Sequence, residues 1–221
     1  MLFKFDQDLC IFIHVPKTGG NSIQASLVEA GMSLDKLVAE DHQDGFDRFK
    51  IRGSITRTKH QSMSEYFLKN PYLAKAKAYS CVRRPFERMV SYYFSPNRHV
   101  RKKYHFFGPY CEPETVKFNE SEFLSLVEET PTASTMLCPC DTDRAEEQIT
   151  LIRDMMKSNQ LQILRTENLS DDFLRSFKFP ITKYPRNVSF CQAQLRSVLE
   201  SATLRKSVET GKHAVDLELF Y

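Results

Sequence analysis

The chain contains no tryptophan. Stacking on any flat ligand ring therefore falls to its 17 phenylalanines and nine tyrosines. No apolar run approaches the ~20 residues that a membrane-crossing helix needs. The N-terminal segment carries Asp6 and Asp8 where a secretory signal would be basic and then apolar. The expectation is a soluble, cytoplasmic protein, with an excised lumenal domain as the alternative. The nucleotide loop G-x-x-x-x-G-K-[ST] is missing, which argues against an ordinary ATPase or GTPase. Of the six cysteines (Cys10, Cys81, Cys111, Cys138, Cys140 and Cys191), none stands in the C-x-x-C spacing of zinc or redox sites. The even count permits disulfides without assigning them. Cys10 and Cys81 fall in predicted buried strands, where a thiol acts as apolar filler, and no metal site is expected. Internal repeats, low-complexity tracts and long linkers are absent as well. The net charge of +3 is too mild to announce a nucleic-acid partner.

What is present fits one α/β domain over residues 1–221. The hydrophobic share of 41% and charged share of 27% are globular values, and the length suffices for a sizeable core. The chain is organised around Ile11-Phe12-Ile13-His14-Val15-Pro16-Lys17-Thr18-Gly19-Gly20-Asn21-Ser22-Ile23. Ile11, Phe12, Ile13 and Val15 read as a buried parallel strand. Gly19 and Gly20 allow a sharp turn and close approach of backbone N–H groups to a ligand. Asn21 or Ser22 is expected to cap a helix of about ten residues that ends near Gly31. A helix N-terminus with Lys17 beside it suits phosphate or sulfate.

Downstream, Ser62 and Glu65 form a capping-box pattern, so a helix starts there with His60 on the loop before it. By spacing alone His60 is a surface histidine, and His14 is its rival at the strand end. Ala78–Val82 is a further strand. It runs into Arg83-Arg84-Pro85, and Pro85 opens a helix whose Phe86, Met89, Val90 and Tyr93 make a buried face. Arg83 at the strand end and Ser91 on that helix offer a guanidinium fork and a hydroxyl, groups that bind phosphate.

Pro16-Lys17-Thr18-Gly19-Gly20-Asn21-Ser22 resembles the 5′-phosphosulfate loop of sulfotransferases that use 3′-phosphoadenosine 5′-phosphosulfate (PAPS). The Pro-Lys-Thr-Gly-Gly-x-Ser form is that of the carbohydrate enzymes of heparan 2-O- and chondroitin-like type. Val82, Arg83, Pro85, Arg88, Ser91 and Tyr93 match that family's 3′-phosphate motif, V-R-[DN]-P-x-x-R-x-x-S-x-Y. Arg84 departs from it. The resemblance implies a single P-loop-like three-layer α/β domain with a central parallel sheet flanked by helices. It implies transfer of a sulfuryl group from PAPS to a hydroxyl of a glycan or glycosylated small molecule, leaving PAP and requiring no metal. Lys17, Thr18, Gly19, Gly20, Asn21 and Ser22 would hold the 5′ end. Arg83 and Ser91 would hold the 3′-phosphate, with Arg186 and Asn187 on a late loop near the cofactor. His60 would be the catalytic base, and Lys17 would stabilise the leaving phosphate. The alternatives are a P-loop nucleotide or small-molecule kinase and a non-catalytic PAP- or phosphoglycan-binding module.

Elsewhere the pattern predicts a short helix over 34–38 and a strand over 49–55. A basic–aromatic stretch from Arg98 to Tyr110 reads either as a solvated loop or as an acceptor-binding flap. Helices follow over 121–129 and 142–158, the latter with Ile149, Ile152 and Met156 on one face and a loop over 131–140 before it. A strand over 160–164 leads through Glu167 into a helix with Phe173, Leu174 and Phe177. A last helix carries Leu195, Val198 and Leu199, and the terminal Val215–Tyr221 is a structural closure.

Overall fold

The apolar run at residues 11–13 is one arm of a hairpin. In a computed structural model describing residues 1–34, 60–95, 117–182 and 192–221, β1 (Leu2–Phe5) pairs antiparallel with β2 (Asp8–Ile13). The turn between them has two residues, Asp6 and Gln7, both at positive φ, as a type I′ turn requires. The other side of β2 pairs in parallel with β3 (Lys77–Val82), and β3 pairs in parallel with β4 (Leu161–Arg165). The sheet order is β1-β2-β3-β4. The expected parallel sheet thus gains an antiparallel edge, which the short, turn-linked Leu2–Phe5 segment supplies.

The described chain packs as two compact units. The first holds the described parts of Met1–Arg83 and Ala133–Tyr184, with Phe220. It is a three-layer α/β arrangement: a mostly parallel sheet flanked by helices. Helix α1 (Gly20–Glu29) follows β2, and α2 (Met63–Lys69) leads through a 3-10 turn, Pro71–Lys75, into β3. One sheet face presents Cys10, Phe12, Tyr79, Cys81 and Leu164 to Ile23 and Leu27 of α1 and to Phe173 and Phe177 of the helix after β4. Tyr79 and Phe177 lie 4.9 Å apart, and Phe173 and Phe177 4.6 Å, by ring centroids. The opposite face, with Ile11, Ile13, Ala78, Ser80 and Val82, is buried too. Burial on both faces is why these strands read as near-continuous apolar runs. The one polar member, Ser80, donates its hydroxyl to Ile13 O at 2.7 Å and so stitches β2 to β3.

The second unit holds the described parts of Arg84–Thr132 and Pro185–Leu219, with Tyr221. It is helical. Pro85 opens α3 (Pro85–Tyr93) as expected, and Phe86, Met89, Val90 and Tyr93 are buried. They pack with Phe123 and Val127 of α4 (Glu120–Glu129) and with Val198, Leu204 and Val208. Each fully buried large apolar side chain of this cluster contributes ~1.5–3 kcal/mol.

Several elements differ from expectation. The loop predicted over 131–140 contains a short helix, α5 (Ala133–Leu137), with Ala133, Ser134, Met136 and Leu137 buried. Helix α6 (Ala145–Lys157) buries Gln148, Ile152 and Met155, not a stripe through Ile149 and Met156. Gln148 can face inward because its side-chain amide donates to Thr142 O at 2.6 Å. After β4 come the 3-10 turn Thr166–Asn168 and α7 (Leu169–Phe177). There Leu174 is 49% exposed while Phe173 and Phe177 are buried. The helix α8 (Gln192–Leu199) is not the last: α9 (Ala202–Thr210), capped by the Ser201 hydroxyl, and α10 (Ala214–Phe220) follow. The strand over 49–55, the Arg98–Tyr110 stretch, the loop with Arg186 and Asn187, and all but the first residue of the helix over 34–38 lie outside the described residues.

Candidate functional site: the glycine loop and His60

Residues 14–19 carry the chain from β2 into α1. Two of them adopt the left-handed region: Lys17 at φ 68 and Gly19 at φ 84. For glycine this is free of steric cost. For lysine it is uncommon, and such residues gather at ligand-binding turns. Thr18 is fully buried, and its hydroxyl donates to Val15 O at 2.8 Å, closing the loop on itself. The Thr18 carbonyl accepts from the Cys81 thiol and from the Thr166 hydroxyl, the latter at 2.7 Å. Thr166 Oγ1 also lies 2.9 Å from Val82 O. The carboxyl ends of β2, β3 and β4 are thereby tied through one threonine. Open α/β sheets bind ligands at this end of their strands. Burial pushes the Cys81 thiol up to about 12, so it is a neutral donor and not a nucleophile.

The expected side-chain cap on α1 is corrected by the structure. The N-cap is Gly19, which has no side chain with which to cap the helix. Asn21 and Ser22 stand inside the first turn, because Gly20 already has helical geometry. Its missing Cβ is essential: an added one would sit 2.5 Å from Cδ2 and 2.6 Å from Nε2 of His14. The first turn of α1 also lacks an acidic residue. By contrast, α2 has a complete capping box, α4 has the Asn119 cap with Glu120 and Glu122, α6 has Glu146 and Glu147, and α7 has Asp171 and Asp172. The opening N–H groups of any helix have no acceptor within it. Among the described residues α1 has no side-chain cap and no acidic residue in its first turn, while Ser22 N donates to Gly19 O at 2.9 Å; the positive dipole end of such a helix start suits an anion.

His60 joins this loop. It precedes the predicted capping box, in which Ser62 Oγ accepts from Glu65 N and Ser62 N donates to Glu65. The exposed His60 ring meets the His14 ring edge-on at 4.6 Å between centroids. His60 Nδ1 lies 3.0 Å from His14 O. A carbonyl only accepts, so Nδ1 carries the proton, and Nε2 of the neutral ring keeps its lone pair. His14 itself is 4% exposed, with Nδ1 2.9 Å from Gln24 Oε1. Of the two histidines flagged by the sequence, His14 packs and its backbone orients His60.

Arg83 leaves β3 at the same edge of the sheet where β2 enters the loop, since the two strands are parallel in the register Ile13↔Ser80. Ser91 is buried on α3, in the second unit. Arg84, where the motif has Asp or Asn, sets its guanidinium 4.9 Å from the centroid of the Tyr221 ring, a cation–π contact. Arg88 is structural. It is 1% exposed, donates to Pro131 O at 2.8 Å and faces Asp216 Oδ2 at 3.8 Å. Burial lowers its pKa from the ordinary arginine value. Glu167 is an exposed residue of the 3-10 turn after β4. Arg186 and Asn187 lie outside the described residues. Among the described residues, no group of three or more His, Cys, Asp or Glu side chains is placed to hold a metal ion.

One residue beside the site carried no sequence signal. Gln61, next to His60, is 1% exposed, and both polar atoms of its side-chain amide are buried without a hydrogen-bond partner among the described residues. Such a group costs ~1–3 kcal/mol, and a polar residue inside a polar run gives no warning of it. No family model matches this chain, and neither does any curated protein. The arrangement itself combines a helix start, a lysine beside it and an imidazole whose Nδ1 faces a backbone carbonyl.

Proposed function

We propose that the chain is a sulfotransferase that moves the sulfuryl group of PAPS to a hydroxyl acceptor, a carbohydrate in the reading favoured by its motifs. The observation that carries this reading is the meeting of two features in one place. Helix α1, with Gly19 as its N-cap and no acidic residue in its first turn, starts just after Lys17, and His60 Nδ1 faces the His14 carbonyl at 3.0 Å, which favours the tautomer with its lone pair on Nε2. The chemistry of these residues suits the donor: the start of α1 and the Lys17 ammonium would suit its 5′ anion, and the Arg83 guanidinium at the end of β3 would suit a phosphate. When bound, PAPS supplies the activated sulfuryl group and leaves as PAP.

In this mechanism Lys17 and the first-turn N–H groups orient the donor and stabilise charge on the departing phosphate. His60 Nε2 removes the proton from the acceptor hydroxyl, a contribution worth ~10²–10⁴-fold in rate for a placed general base. The His14 carbonyl keeps the imidazole from turning away and favours the imidazolium that forms. No residue need change its covalent state.

The deciding experiment is transfer of labelled sulfate from PAPS across a panel of glycans, small alcohols and peptides, paired with calorimetry of PAP. Lys17→Ala and Arg83→Ala are expected to weaken PAP binding. His60→Ala is expected to keep PAP binding and lose turnover by ~10²–10⁴-fold. Near-normal turnover in His60→Ala would remove the base assignment. Magnesium-dependent transfer from ATP would identify a kinase instead, and PAP binding without turnover on any acceptor would identify a binding module.

A further inference from the structure

The cysteine spacing at 138–140 is not that of a zinc or redox motif, but the fold brings the two sulfurs together. Cys138 directly follows α5, its N–H donating to Ser134 O at 2.8 Å. Cys138 Sγ and Cys140 Sγ lie 3.8 Å apart. A disulfide needs ~2.05 Å, so the sulfurs must approach by about 1.8 Å, within reach of a side-chain rotation. Pro139 between them fixes one backbone dihedral and limits the ways the pair can separate. The two thiols are unequal. Cys140 is exposed and open to a reagent, whereas Cys138 is 1% exposed. Burial pushes the Cys138 thiol up to about 11, against a backbone hydrogen bond from Cys140 that lowers it.

We propose that Cys138 and Cys140 form a reversible dithiol–disulfide site that exchanges with small disulfides of the glutathione type. The Cys140 thiolate attacks one sulfur of glutathione disulfide. A Cys140–glutathione mixed disulfide forms, and one glutathione thiolate leaves and takes up a proton. Cys138 then loses its proton to solvent and attacks Cys140 Sγ. The protein disulfide forms, and the second glutathione leaves as its thiol. Two protein thiols are oxidised and one glutathione disulfide is reduced to two thiols. The exposed residue meets the reagent, and the buried one resolves the adduct. This site stands apart from the sulfotransferase reading and does not depend on it.

The test uses the full chain. Trypsin releases residues 118–144 as one peptide in which Cys138 and Cys140 are the only cysteines. After equilibration with oxidised and reduced glutathione and alkylation of the remaining thiols, mass spectrometry of this peptide is expected to show an unalkylated form, lighter by two hydrogens, that dithiothreitol reverses. The equilibrium constant for closure in the native chain is expected to exceed that in the urea-unfolded chain by about tenfold or more, because the fold holds the sulfurs near bonding distance. Cys138→Ser is expected to accumulate glutathione on Cys140, while Cys140→Ser takes up little. A wild-type peptide that stays doubly alkylated or stops at the glutathione adduct under oxidising conditions would overturn the proposal. So would closure as favourable in the unfolded chain as in the native one. The wild-type arms stand even where a variant fails to fold.

Discussion

Gly20→Ala tests whether the glycine loop is shaped by its contact with His14. The added Cβ would lie 2.5 Å from His14 Cδ2, where carbon atoms are comfortable at ~3.5–4.0 Å. About 1 Å of movement is therefore needed. The ring has little room to give: it is 4% exposed, bonded to Gln24 at 2.9 Å and flanked by the His60 ring at 4.6 Å. Overpacking of this kind costs ~1–3 kcal/mol, and the upper end applies if the Gln24 bond breaks, since that strands a buried amide. For a chain of this size each kcal/mol lowers Tm by ~2–4 °C, so a fall of roughly 2–12 °C is expected. The assay is urea unfolding of wild type, Gly20→Ala, His14→Ala and the double variant. If the clash is the cause, removing the ring relieves it, and the cost of Gly20→Ala falls by about 1 kcal/mol or more in the His14→Ala background. Gly31→Ala is the comparison: at φ +70 with nothing within 4 Å of an added Cβ, it carries backbone strain alone, and His14→Ala should not change its cost. An equal penalty for Gly20→Ala in both backgrounds would refute the steric argument.

Three further outcomes follow from the same geometry. Lys17→Gly relieves the left-handed strain at φ 68, so stability should hold or rise while affinity for PAP falls; a parallel loss of Tm and binding would show that the lysine is there for structure. Arg88→Met should destabilise the chain in urea by an amount at or below the ~3–5 kcal/mol of a broken buried pair, because the buried Asp216 carboxylate loses the guanidinium 3.8 Å away while His213 Nδ1 stays 3.7 Å from it, and Arg88→Met with Asp216→Leu should recover most of that loss. Burial raises Cys81 from 9.0 to about 12. A raised folded-state value means that the unfolded chain loses its proton first, so this contribution to stability is whole below pH 9 and drains away as the pH climbs towards 12. Unfolding free energies measured across that window should fall less steeply in Cys81→Ala than in wild type, and identical slopes would contradict the assignment.

What was legible in the sequence is what depends on neighbours along the chain. The apolar run at 11–13, the glycines after it, the Ser62/Glu65 box and Pro85 at a helix start are local signals, and each element stands where it was expected. The misplaced cap on α1 is also local. Asn21 and Ser22 are good capping types, but Gly19 at φ 84 ends the loop one residue before Gly20 begins the helix, and backbone conformation of that kind leaves no mark in residue type beyond the glycine itself. What stayed hidden is long-range. Thr166 reaches Thr18 across 148 positions, His60 reaches the His14 carbonyl across 46, and the inward turn of Gln148 rests on one carbonyl at Thr142. The site is divided along the same line. The half proposed to bind an anion, Lys17 to Ser22, belongs to a strand–turn–helix unit that any window of about a dozen residues reveals. Its basic half is a property of the tertiary fold: a histidine on a surface loop acquires a defined tautomer only when parallel pairing of β2 with β3 and the packing of α2 bring it to a carbonyl at the end of the first strand of that pair. The motif alone gives no physical reason for the base role proposed for His60. The His14 carbonyl supplies one that mutation of the side chain at position 14 should leave intact: His14→Ala keeps the backbone acceptor, so His60 should retain its proton on Nδ1, readable from the imidazole nitrogen chemical shifts, even as the loop above it loosens. A shift to the other tautomer in that variant would mean that the ring of His14, not its carbonyl, orients the base.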